Sequence, residues 1–287
     1  MGGLMQRRRV TDWPELLSLL QEASWNPALR RFRSPYVFRG QGTTAPLTTS
    51  LQRLSGDTRD IERHLVRAVR KYARGTAPLE DSVWSWLALG QHHGLPTRLL
   101  DWTYSPLVAL HFVTANEERY DQDGLIWRLN VTLTNAALPG PVAEVLAHEG
   151  ADVFTVEMLT HLGMQVAGDT LALDAGMGWL ERLEQENGQP FLLFLDPPSL
   201  DQRIVQQSAL FSLLSTPGSD PEAWLAEHSD AAQCIQVPAH LKWEIRDRLD
   251  QFNVTERTLF PDLGGLSQWL RRYYRTREDG RKEMEST

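Results

Sequence analysis

Gly90-Gln91-His92-His93-Gly94-Leu95-Pro96-Thr97-Arg98-Leu99-Leu100-Asp101-Trp102-Thr103 is the stretch on which the reading of this chain turns. It opens as the end of a helix, breaks at Gly94 and Pro96, and resumes as a predicted strand from Thr97 to Trp102. Two His, one Arg, one Asp and two Thr stand in it beside Leu95, Leu99, Leu100 and Trp102. A polar group buried without a partner costs about 1–3 kcal/mol, so a plain core segment has no use for so many. A plain surface loop has no use for the leucines and the tryptophan. The mixture suits the wall of a pocket, where apolar shape coexists with a few placed polar groups.

Upstream, a helix over about 80–92 brings Val83, Trp84, Leu87 and Ala88 into the Gln91-His92-His93-Gly94 corner. Before it, residues 58–74 show a helical period, with Ile61, Leu65, Ala68, Val69 and Tyr72 on one stripe and Asp57 as cap. Tyr36-Val37-Phe38-Arg39 reads as a short strand ended by Gly40-Gln41-Gly42, and residues 12–24 as a first helix. Downstream, Ser105-Pro106 starts a helix through Ala109, Leu110, Phe112 and Val113, with Pro in its first turn. Leu125–Val131 alternates as a strand. Residues 137–188 alternate between helix and loop, and Pro190–Leu195 reads as a buried strand. Arg203–Leu214 is ambiguous, and Ala232–Val237 is a strand. Residues 239–252 form a helix, Thr258-Leu259-Phe260 a last short strand, and 263–275 a last helix.

This order predicts a mixed α+β domain with a mainly antiparallel sheet and a helix-rich N-terminal third. The expected division is an N-terminal helical segment (1–29), an α+β domain with C-terminal helices (30–275) and a charged tail (276–287). Gly40-Gln41-Gly42-Thr43-Thr44 is not followed by a helical period, so a dinucleotide-binding Rossmann turn is excluded.

The 287 residues are 41% hydrophobic with a formal net charge of -8. No apolar run approaches the roughly 20 residues that span a bilayer, and the N-terminus lacks the apolar stretch of a signal peptide. Cys234 is the only cysteine, which excludes an internal disulfide and a cysteine-based metal cluster. The expectation is a cytoplasmic protein without a membrane partner. The acidic balance argues against nucleic acid as a partner of the molecule as a whole. The arginines are uneven, however: Arg7 to Arg9, Arg30 to Arg33, and Arg271, Arg272, Arg275 and Arg277. They read as solvated faces or as a local phosphate-binding patch.

Three clusters carry candidate chemistry. In Phe38-Arg39-Gly40-Gln41, an Arg at a strand end beside glycines can present its planar fork to a phosphate or carboxylate, or make a structural ion pair. In the central stretch, His92 and His93 point about 100° apart on a helix and have no His-x-x-x-His partner, so no metal is expected. His93 is placed to cap or orient the loop. Arg98 and Asp101 read either as an internal ion pair or as ligand contacts. In Arg203–Phe211, Gln206 and Gln207 line a cleft or sit in an exposed turn. Ser-His-Asp order, nucleophile elbow, phosphate-cradling Lys loop and zinc helix are all missing. Asp101, helped by His93, is the main carboxylate for acid–base work.

Together these clusters resemble the FRG domain family, through Phe38-Arg39-Gly40-Gln41, the 91–103 motif, Ser105-Pro106 with Ala109, Leu110 and Phe112, and Arg203, Gln207 and Phe211. The likeness runs over roughly residues 30–215, with Ala209 where the family tends to have Gly. More distantly the chain resembles mono-ADP-ribosyltransferases, in which an aromatic-Arg-Gly strand, a hydroxyl-bearing strand leading into a helix and a Glu- or Gln-containing strand follow in this order. That resemblance implies NAD as substrate and a macromolecular acceptor, protein or nucleic acid. Arg39, Gly40 and Gln41 would hold the pyrophosphate or ribose edge, and Thr103 and Ser105 the nicotinamide ribose. Trp102 would wall the nicotinamide, and His93, Thr97 and Arg98 would complete the cofactor contacts. Gln207 would stand where those enzymes carry a catalytic Glu, leaving Asp101 to supply the anion. The alternative is a non-enzymatic sensor module of bacterial stress or phage defence that recognises a phosphate-bearing ligand or partner.

Overall fold

The computed structural model describes residues 7–54, 56–73, 75, 81–167, 175–198 and 202–276. The charged tail from Arg277 onward lies outside them. Nine strands are described: β1 (Arg7–Arg9), β2 (Trp25–Asn26), β3 (Arg31–Phe32), β4 (Tyr36–Gln41), β5 (Leu100–Thr103), β6 (Gly124–Asn130), β7 (Leu192–Leu195), β8 (Ala209–Leu214) and β9 (Ala232–Val237). Seven of them form one sheet in the order β1-β9-β6-β4-β5-β8-β7. Every neighbouring pair in it is antiparallel except β1 with β9. The mixed α+β class and the mainly antiparallel sheet are thus as the sequence predicts. β2 and β3 form a separate antiparallel hairpin.

The pleat sorts the side chains. Phe38, Ile126, Ile235 and Val237 turn to one face, covered by the helices Trp13–Gln21, Pro106–Val113 and Lys242–Gln251. Val37, Leu100, Trp102, Trp127, Leu129 and Leu210 turn to the other, against Trp224 and Leu225. A third core gathers Phe211, Leu213, Leu193 and Leu195 under the helices Val83–His92, Val156–Ala167 and Ala175–Asn187, with Trp84 set edge-on against Trp179.

Local chemistry explains the boundaries. Asp57 accepts from the amides of Arg59 and Asp60 and starts the helix Thr58–Tyr72. The most deeply buried residues of that helix are Glu62 and Val66, whereas Tyr72, expected on the apolar stripe, is exposed. Pairing with a distant arginine selects this face. The strand predicted from Thr97 begins at Leu100, because Thr97 is tied to the preceding loop through Leu51 N–H to its carbonyl (3.1 Å) and its own N–H to Ser50 Oγ (3.0 Å). Thr258-Leu259-Phe260 is not a strand. Thr255 and Thr258 make a reciprocal capping box, and Glu256–Leu259 is a helical turn. The ambiguous 203–214 region is the helix Gln202–Gln206 followed by β8. The Arg7–Arg9 run, read as a solvated terminus or part of a phosphate-binding patch, is the parallel edge strand.

The helix Pro106–Val113 is held from below by a buried charge. Arg246 Nη1 donates to His111 Nδ1 at 2.9 Å, which requires a neutral imidazole. Burial, then Arg246, drives the His111 pKa down to about 3, with Glu256 opposing. A folded value below the ordinary 6.5 means that this stability is fully present above pH 6.5 and is lost as pH falls toward 3. Urea titrations from pH 7 to 4 are expected to show a loss approaching about 1.4 kcal/mol per pH unit below 6.5. His111→Gln, which keeps an acceptor but cannot protonate, is expected to flatten that slope.

Candidate functional site

β4 is laddered to β6 over six residue pairs and β5 to β8 over four, yet β4 and β5 share a single bridged pair, Phe38 with Thr103. Beyond it the two central strands part. Arg39 occupies the notch: its Nη1 donates to the Asp101 carbonyl at 2.7 Å and lies 3.5 Å from Asp101 Oδ2. The carboxylate is oriented from its other side, where Gln91 Nε2 donates to Asp101 Oδ2 at 2.9 Å. Thr97 Oγ1 in turn donates to Gln91 Oε1 at 2.5 Å and accepts the Leu99 amide at 3.1 Å. Gln91, from the helix Val83–His92, and Thr97, from the loop before β5, thus fix one acid beside one guanidinium.

The notch is asymmetric. Asp101 is 56% exposed at its side chain, whereas Arg39 is 21% exposed. The Nε of Arg39 is buried with no hydrogen-bond partner among the described residues. Burial pulls the Arg39 pKa down, Asp101 opposes the fall and the nearby Arg53 guanidinium adds to it. A guanidinium stays charged under all such shifts. It therefore presents a positive charge, an unused buried donor and a second cation close by, the pattern that a phosphate or pyrophosphate satisfies.

Gly40 is required by packing. A Cβ on it would lie 1.9 Å from the Ala109 carbonyl oxygen, so the helix Pro106–Val113 rests directly on the backbone of β4. Gln41 holds the strand end, with Oε1 accepting from Trp127 Nε1 and Nε2 donating to the Ala45 carbonyl at 3.3 Å. Thr103 Oγ1 donates to the Gln207 carbonyl at 2.7 Å and accepts the Ser105 amide at 3.0 Å. Ser105 Oγ caps the following helix by accepting from Val108 N–H. His93 is the C-cap of the helix Val83–His92, followed by Gly94 at φ +81°.

Three expected site residues are engaged elsewhere. Trp102 is 3% exposed, shut inside an apolar cluster with Val37 and Trp127, its indole N–H donating to Ser212 Oγ at 2.7 Å. It offers no wall to a ligand in the notch. Arg98 does not pair with Asp101. It is buried against Glu62, with Nε to Oε2 at 2.7 Å, a second contact from Nη2 to the same oxygen, and Nη1 to the Ser215 carbonyl at 3.3 Å. Gln207 turns its amide to the Leu259 carbonyl at 3.1 Å. Arg39 and Asp101 are therefore brought together, and Gln207 is held toward the C-terminal turn. Sequence reasoning missed Gln91 and Arg53 as members of the site. Gln91 stands inside the decisive motif, one residue before the paired histidines. Arg53 carries no local pattern.

The comparisons with known proteins agree with the motif reading at its coarser level. Residues 34–122 match the family model of the FRG domain, a span that contains β4, β5, Gln91 and the Arg39–Asp101 contact but not Gln207. The chain thus carries an FRG domain. No curated protein and no solved structure gives a significant match. Among the described residues no helix is long and apolar enough to cross a membrane.

Proposed function

We propose that this FRG domain binds NAD or a related nucleotide at the notch between β4 and β5, and that it transfers the ADP-ribosyl group to a macromolecular acceptor. The observation that carries the reading is Arg39: a charged, largely enclosed guanidinium with an unpartnered Nε, flanked by Arg53 and facing an oriented acid. A pyrophosphate oxygen would take the unused donors. Asp101 would then face the ribose. As the C1′–N bond breaks, nicotinamide leaves with the electron pair and positive charge grows on the ribose, where a carboxylate stabilises it. The acceptor nucleophile forms the new bond to C1′ and gives up its proton. Gln207, held by Leu259, takes no part in this scheme.

The trial is incubation with labelled NAD and cell lysate beside calorimetry of NAD alone. Saturable binding is expected. Arg39→Ala should abolish it while shifting the thermal midpoint by only a few degrees, because among the described residues the side chain hydrogen-bonds to Asp101 alone. Asp101→Asn should retain binding and lower transfer by about 100-fold or more. Failure of the wild-type chain to bind NAD would retire the proposal. The second reading, a non-enzymatic module for a phosphate-bearing ligand, is favoured by the engagement of Gln207. Its mark is Arg39-dependent binding with no transfer to any acceptor.

A further inference from the structure

The β2–β3 hairpin, which leads through Ser34 and Pro35 into β4, has a composition unlike the rest of this acidic chain. Residues 23–34 read Ala-Ser-Trp-Asn-Pro-Ala-Leu-Arg-Arg-Phe-Arg-Ser, with three arginines and no Asp or Glu. Trp25 is paired directly across from Phe32, and their rings meet edge to face with centroids 5.1 Å apart. Aromatic pairs of this kind normally anchor a core. Here Trp25 is 50% exposed and Phe32 73% exposed, with Leu29 exposed at the turn beside them. Arg30, Arg31 and Arg33 are exposed as well, and among the described residues no carboxylate pairs with any of them. The hairpin is nonetheless built, by the Arg33 amide to the Ser24 carbonyl at 2.7 Å and the Leu29 amide to Asn26 Oδ1 at 3.1 Å.

We infer that this hairpin is a docking site for single-stranded nucleic acid. By the strand pleat, Trp25 and Phe32 share one face and Arg31 takes the other, while Arg30 and Arg33 flank β3 at its two ends. The ribbon is only two strands wide. A flexible strand can lay bases on the two rings and run its phosphates along the edge that the arginines line. Sequence-tolerant single-strand binding combines these two elements, stacking aromatics and backbone-tracking cations. The net charge of -8 confines the attraction to this patch and disfavours a rigid duplex, which cannot bend around so narrow a platform. The inference does not depend on NAD binding. Where both hold, the hairpin sits immediately before the strand that carries Arg39, and it would deliver a nucleic acid as acceptor.

The test is fluorescence anisotropy of the full chain with a labelled unstructured single strand, a duplex of the same length, and a salt series. The wild type is expected to bind the single strand in preference to the duplex. Arg30→Gln, Arg31→Gln and Arg33→Gln combined should lower affinity at least tenfold and reduce the slope of log affinity against log salt by about 2, at roughly 0.7 per phosphate contact. Trp25→Ala with Phe32→Ala should lower affinity by about 5-fold or more with the slope unchanged. Circular dichroism of both variants checks that the fold persists. No single-strand binding at low salt, equal binding of duplex, or binding by the wild type that either variant leaves intact overturns the inference. So does binding to anionic lipid vesicles without binding to oligonucleotides. Because the probe contains no NAD, this outcome is separate from that of the proposed transfer reaction.

Discussion

Gly40→Ala is expected to destabilise the protein by about 3 kcal/mol or more, at or above the upper end of ordinary overpacking penalties. The added methyl would stand 1.9 Å from the Ala109 oxygen, 2.9 Å from the Ala109 carbonyl carbon and 3.1 Å from the Val113 amide. All three are backbone atoms, so no rotamer change relieves the clash. The helix Pro106–Val113 would have to lift from β4, opening the contact of Phe38 with Ala109 and Leu110 in the core. Gly42, two residues on, is the control. Its nearest neighbour for a Cβ is the Val113 oxygen at 3.5 Å, an ordinary contact. Gly42→Ala is therefore expected to change stability by less than about 1 kcal/mol. Urea unfolding of the two variants decides the matter, and equal stability of Gly40→Ala and wild type would refute the packing account.

The second large effect concerns Arg98 and Glu62. Removing either partner leaves the other charge buried, and such losses run at about 3–5 kcal/mol. Arg98→Met is expected near the middle of that range, because among the described residues Glu62 would keep only the Arg98 backbone amide, at 3.2 Å. Glu62→Leu strands a guanidinium whose remaining hydrogen bond is to the Ser215 carbonyl. The double variant is expected to be less damaged than the sum of the singles, and close in stability to the milder of them, since an apolar pair of similar volume requires no desolvation of charge. Arg98 also leads directly into β5, so the single variants should weaken the proposed NAD binding beside Asp101. Strict additivity of the two substitutions would show that the pair does not act as a unit.

What the sequence revealed and what it hid divide along a physical line. Elements set by local chemistry were readable: the helix capped by Asp57, the Ser105-Pro106 start, and Ala232–Val237, whose limits agree with the structure. The Arg39–Asp101 meeting was legible as chemistry, since both stood out by residue type and setting. Their separation of 62 positions meant that only the fold could bring them together. Partner choice was the main thing hidden. Arg98 had a carboxylate three residues away, yet it pairs with one 36 positions upstream, because the helix Thr58–Tyr72 lies over the strand entry. Trp102 alternates with Asp101 along β5, and the pleat sends them to opposite faces, a consequence that period-2 geometry already contained. Thr258-Leu259-Phe260 misled because β-branched and aromatic residues favour strands, while the capping box one turn earlier decided for helix.

The central claim is that Arg39 holds an anionic ligand through donors which the folded chain leaves unused. The most direct measurement is the arginine Nε–H spectrum of the full chain labelled with ¹⁵N-arginine, titrated with NAD. The Arg39 resonance is identified by its loss in Arg39→Lys. The account predicts a saturable shift of that resonance, with Arg98, locked to Glu62, unmoved. An Arg39 resonance that stays in place through the titration would contradict it.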